Sequence, residues 1–124
     1  MKKKLLAAIA AGMLLCGMLT APVSAAETYQ KGDVNMDGVI DVADAQLALQ
    51  FFCDWLCIKG GNLTEEQQAL GNVDGEMSVM QWKSEERVTP VSVRDAQIIL
   101  IYYTKHLTDA TVTMDVLLES LGIK

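Results

Sequence analysis

Two segments of this 124-residue chain are copies of one another, and that duplication limits the fold more than any other feature. Asp-Val-Ala-Asp-Ala-Gln-Leu-Ala-Leu-Gln-Phe-Phe, residues 41 to 52, aligns with Ser-Val-Arg-Asp-Ala-Gln-Ile-Ile-Leu-Ile-Tyr-Tyr, residues 92 to 103. Asp44-Ala45-Gln46 returns as Asp95-Ala96-Gln97, and Phe51-Phe52 is answered by Tyr102-Tyr103. In each copy an acidic loop ends in Asp and a helical apolar pattern begins there. Leu49, Phe52, Cys53 and Leu56 carry that pattern in the first copy, and Leu100, Tyr103 and Leu107 in the second.

The loop before the first helix, Gly-Asp-Val-Asn-Met-Asp-Gly-Val-Ile-Asp-Val-Ala-Asp (32–44), crowds its carboxylates into one turn. At about 5 Å each pair repels by roughly 1–3 kcal/mol, so a loop without a use for the charge would spread it out. The spacing supplies the use. Asp33, Asn35, Asp37, Gly38 and Asp41 hold positions one, three, five, six and nine, and Asp44 closes the loop at twelve. Calcium is a hard cation that takes six to eight oxygens, and a twelve-residue loop delivers them in this order. Asp33, Asn35 and Asp37 would give side-chain oxygens, Val39 its carbonyl, Asp41 a water-mediated contact and Asp44 the last carboxylate. Gly38 permits the sharp turn, and Ile40 would pack inward to pin the loop.

The second loop is stretched. Asn72, Asp74 and Glu76 take positions one, three and five, yet no glycine follows, and 24 residues run from Asn72 to Asp95 where the first loop has 12. Ser92, aligned with Asp41, and Asp95, aligned with Asp44, complete a second calcium set. The extra residues fall within 77–90, and Met77, Val79, Met80 and Trp82 there are expected to pack on their own domain, with added contact area for a partner as the alternative.

These signals give an all-α fold: a small calcium-stabilised domain of two loop-helix repeats joined by a short helix, with a short C-terminal helix. Repeat one spans 32–58, the linker helix 62–70, repeat two with its insertion 71–107 and a C-terminal extension 108–124. Gly60-Gly61 stops the first helix. Thr64 with Gln67 three residues on is a capping box opening a helix from Glu65 to about Leu70. A last helix is expected from about Met114 to Leu121, ended by Gly122.

Residues 1–26 read as a secretory signal peptide: Lys2, Lys3 and Lys4, an apolar run from Leu5 to about Leu19, then small residues up to Ala26. A membrane anchor would need about 20 apolar residues, and this run is shorter. The remaining 98 residues, 27–124, suit one small domain. They hold seven Lys and Arg against sixteen Asp and Glu, a net −9. That balance disfavours nucleic acid and anionic lipid and suits a cation. Cys53 and Cys57 lie on one helix face and are read as buried thiols, with a bridge as the alternative. His106, the one histidine, has no motif around it, and no nucleophile sits with a base, so no enzyme is expected.

A usual calcium hand has an incoming helix and Glu at position twelve. Here a short stretch precedes the first loop and Asp stands at twelve twice. With GDVNMDGVIDVADAQLALQFF, LTEEQQALGNVDG and VSVRDAQIILIYY, the chain resembles the dockerin family across nearly all of 27–124. The resemblance implies F-hand repeats around two Ca2+ ions, a monomer when free, and docking onto a cohesin of a scaffoldin in cellulosomes, extracellular assemblies that degrade plant polysaccharide. It implies partner contact at Val42, Ala43, Gln46 and Gln50 in the first copy, and at Val93, Arg94, Gln97 and Ile101 in the second. Lys105, opposite Asp54 across the repeat, and Arg94, opposite Ala43, break the symmetry and imply one docking orientation led by the second helix. The alternatives are a secreted calcium sensor or buffer, and a remnant whose enzyme has been lost.

Overall fold

The computed structural model describes residues 28–58 and 60–124. The signal peptide read over 1–26 lies outside them. Among the described residues no helix is long and apolar enough to cross a membrane. The chain runs α1 (Val42–Ile58), α2 (Glu65–Gly71), β1 (Ser78–Trp82), β2 (Glu85–Thr89), α3 (Val93–Thr108) and α4 (Met114–Ser120). The all-α expectation is therefore wrong: β1 and β2 form an antiparallel hairpin inside the stretched second loop.

The hairpin follows from its residues. Ser78, Met80, Arg87 and Thr89 point inward and are buried or half-buried, whereas Val79, Gln81, Glu86 and Val88 alternate outward and are exposed. Lys83 and Ser84 connect the strands, both at positive φ (49° and 71°). Two left-handed residues make a turn whose twist matches the strands, a place usually held by Asn-Gly. Arg87 Nη1 donates to the Leu56 carbonyl at 3.1 Å and ties the hairpin to the end of α1. Met77 and Val79 stay exposed, against the expectation that they pack. That expectation for the Trp82 side chain lies outside the described residues.

The two repeats supply matched layers of core. Val34 and Val73 stand at loop position two, Ile40 and Val91 just before the helices. Ala45, Ala48 and Phe51 of α1 meet Ala96, Ile99 and Tyr102 of α3 in the same cluster. The helical periodicity read at Leu49, Leu100 and Leu107 marks a different face, because these side chains are 43 %, 43 % and 67 % exposed. Cys53 and Cys57 share that outer side of α1 and are free and exposed, not buried. Gly61 lies against the Phe51 ring, so close that a Cβ there would enter it.

Helix ends are set by local chemistry. Thr64 and Gln67 form the capping box that their spacing predicts, and Thr113 caps α4. Gly122 (φ 73°) closes α4, with its amide on the Glu119 carbonyl and that of Ile123 on Leu118. Met114, Leu117 and Leu118 join the core, and Met114 reaches Gly32 at the start of the first loop. The C-terminal extension is thus part of the domain.

Candidate functional site

In the first loop the carboxylates turn toward loop amides. The amides of Asp37 and Gly38 donate to the two oxygens of Asp33 at 3.1 and 2.9 Å. At the far end Asp44 accepts from Asn35 at 3.0 Å and from Asp41 at 2.8 Å, clamping position three to position nine. Asn35 and Asp37 bond to each other through the Asn35 carboxamide, and the Val39 amide donates to Asp37. Asp41 caps α1 by accepting from the Ala43 amide at 2.7 Å. Met36 and Gly38 take positive φ (63° and 90°), which the tight turn requires. The Val39 side chain is exposed.

The second loop begins as a copy and then departs. Gly75 (φ 74°) matches Met36 at position four. Asp95 repeats the clamp: its Oδ1 accepts from Val73 (2.9 Å) and Asp74 (3.2 Å), and its Oδ2 from the Ser92 amide (2.8 Å) and hydroxyl (2.9 Å). Ser92 and Asp95 are also the capping box of α3. From position five the paths differ. The Glu76 amide donates to Asp74, and Met77 leads into the hairpin with no glycine turn. Asn72, the counterpart of Asp33, therefore loses its donors, and its Oδ1 is buried without a partner.

Charge is handled differently in the two loops. Asp33 and Asp44 are 1 % and 0 % exposed, and no described cation pairs with either. Burial holds the Asp44 carboxyl above the usual 3.8, offset in part by the amides of Asp41 and Asn35, and the Asp33 charge adds to the rise. Burial likewise raises Asp95 against the Ser92 and Asp74 amides, with the Asp74 charge again adding. Yet Asp74 and Glu76 have an answer: Arg94 Nε lies 3.5 Å from Asp74 and Nη1 lies 3.1 Å from Glu76.

Among the described residues no three His, Cys, Asp or Glu side chains converge as a preformed metal cage. The loops nevertheless fit a hard cation on other grounds. A carboxylate oxygen that takes one amide keeps a lone pair, and Asn35 and Asn72 carboxamides and the Val39 carbonyl are neutral oxygen donors. Buried, unanswered carboxylates in loop one and an orphan oxygen in loop two are what an oxygen-ligated ion would relieve.

The nine residues singled out for partner contact are all exposed, and four of them share one groove. Val42, Gln46, Val93 and Gln97 line a groove of about 410 Å3 between α1 and α3, with Ala45, Leu49, Ala96 and Leu100. Gln50 borders a separate hollow with Phe51 and Leu63, and Ala43, Arg94, Ile101 and Lys105 do not line the groove. Sequence reasoning missed Leu49 and Leu100 as groove residues. The signal was present: small Ala45, Ala48 and Ala96 mark where the two helices meet, so the bulky leucines one step round must face outward.

Compared with known protein families, curated proteins and solved structures, the chain matches none of them.

Proposed function

We propose that this chain is a calcium-folded interaction module of the dockerin kind that docks onto a cohesin of a scaffoldin and has no catalytic role of its own. The observation that carries the reading is the groove between α1 and α3. Its lining pairs as identical residues: Val42 with Val93, Ala45 with Ala96, Gln46 with Gln97 and Leu49 with Leu100. An isolated surface leucine means little, whereas three matched exposed pairs, Val42 with Val93, Gln46 with Gln97 and Leu49 with Leu100, over a buried Ala45–Ala96 floor make a recognition face. The N-terminal half of each helix lines it, and each helix starts from one of the acidic loops. Loop order would then control the groove.

In this reading a divalent cation in loop one takes oxygens from Asp33, Asn35, Asp37, Val39 and Asp44, with Asp41 through water, and a second in loop two takes Asn72, Asp74, Glu76 and Asp95, with Ser92 at the helix cap. The ion would supply the positive charge that buried Asp33 and Asp44 lack, so its binding free energy becomes folding free energy. The groove floor is the same for both helices and does not set an orientation. Direction falls to the flanking pairs Ala43 and Arg94, Gln50 and Ile101, Asp54 and Lys105.

Immobilised cohesins, loaded with and without chelator, test the proposal. Capture should need calcium, and Leu49→Asp with Leu100→Asp should abolish it while the fold persists. Calcium uptake without cohesin capture would favour a secreted calcium buffer or sensor. A melting temperature and near-ultraviolet dichroism unmoved by chelation would remove calcium from the account.

A further inference from the structure

We propose that Arg94 is the second loop's own counter-ion, which a divalent cation must displace to enter. The guanidinium bridges Asp74 Oδ2 at 3.5 Å and Glu76 Oε2 at 3.1 Å. Asp74 is buried and cannot rely on water to offset its charge, so the contact is more than a surface pair. Arginine suits the task because it stays protonated and its planar fork spans two carboxylates. Loop one has no such device: the residue at the same position is Ala43, and the aligned ligands are neutral Asn35 and exposed Asp37. One loop waits for its charge to be answered, and the other answers it from within the chain.

The same geometry shows why the arginine can be displaced. Arg94 leaves Asn72 Oδ1 buried and unpartnered. A small oxygen-seeking ion gains that donor together with Asp74 and Glu76, and loses what the two ion pairs contributed. Calcium therefore binds loop two more weakly than loop one, and its arrival frees a cation. Arg94 is half-exposed and adjoins Val93 in the groove wall, so its release adds positive charge beside the docking face. That last link rests on the docking proposal, whereas the counter-ion role stands apart from it.

Calcium titration calorimetry and chelated thermal melts of the full chain test it, with Arg94→Gln and Asp37→Ala as variants. The wild type should show one tight and one weaker site. R94Q should tighten the weaker site about five- to tenfold, the size expected when a competing ion pair with one buried partner is removed. D37A should weaken the tight site and leave the R94Q effect in place. In chelator, R94Q should melt below the wild type, because Asp74 is left unanswered. Two equal wild-type sites, or a weaker site indifferent to R94Q, would overturn the displacement while leaving loop one's calcium intact. A chelated melt unmoved by R94Q would overturn the counter-ion role itself. No calcium uptake at all would sink the calcium reading and the displacement with it.

Discussion

Loop one and loop two perform the same closure with different interiors. In both, the aspartate at position twelve holds the start of the loop to the cap of the following helix: Asp44 joins Asn35 to Asp41, and Asp95 joins Asp74 to Ser92. That clamp tolerates a hairpin of two five-residue strands inserted between its jaws. Position one does not tolerate it. Asp33 depends on amides at positions five and six, and the hairpin carries position six away. The difference teaches that the ends of such a loop are fixed by the helix cap, while its middle is fixed by the turn. An insertion therefore costs the middle only.

The largest test of this comparison is at position twelve. Asp44→Ala and Asp95→Ala should each destabilise the chelated protein by about 3 kcal/mol, since each strands buried amides. Urea melts should show the two losses within about 1 kcal/mol of each other; a much smaller loss for D95A would break the equivalence. Position one should separate the loops. Asp33→Ala should cost about 1–2 kcal/mol by orphaning the Gly38 amide and leaving the Asp37 amide on Asn35 alone, and Asn72→Ala well under 1 kcal/mol, because Asn72 Oδ1 accepts nothing. Equal losses would show that the hairpin had not changed the role of position one.

The turn glycine gives a smaller effect. Gly38→Ala has open space for a Cβ but a φ of 90°, so its cost of about 1–2 kcal/mol is purely conformational. Gly75→Asn should be close to neutral, because Met36 already holds the matching position with a side chain at φ 63°. A thermal melt in which G75N loses as much as G38A would mean that position four differs between the loops. At the hairpin turn, Lys83→Asn with Ser84→Gly should stabilise by up to about 1 kcal/mol by giving the hairpin the residues its two left-handed positions favour. No gain would mean that the turn is not limiting.

The sequence by itself determined whatever depends on neighbours a few positions apart. The acidic spacing from Asp33 to Asp44, the Thr64–Gln67 capping box and the stop at Gly122 are local, because caps and tight turns are closed by groups within about ten residues. The tertiary structure decided what depends on distant chain. Residues 77–90 lacked the Asn-Gly or Asp-Gly signal of a hairpin, and strand pairing with Arg87 anchored on Leu56 made them one. Two apolar stripes ran along each helix, and only the meeting of Ala45, Ala48, Ala96 and Ile99 decided which was core and which, with Leu49 and Leu100, became a groove. Arg94 read as a free charge for a partner until the fold brought Asp74 and Glu76, eighteen or more residues back, within reach. A side chain's neighbours across the chain are set by packing, and packing has no local signature.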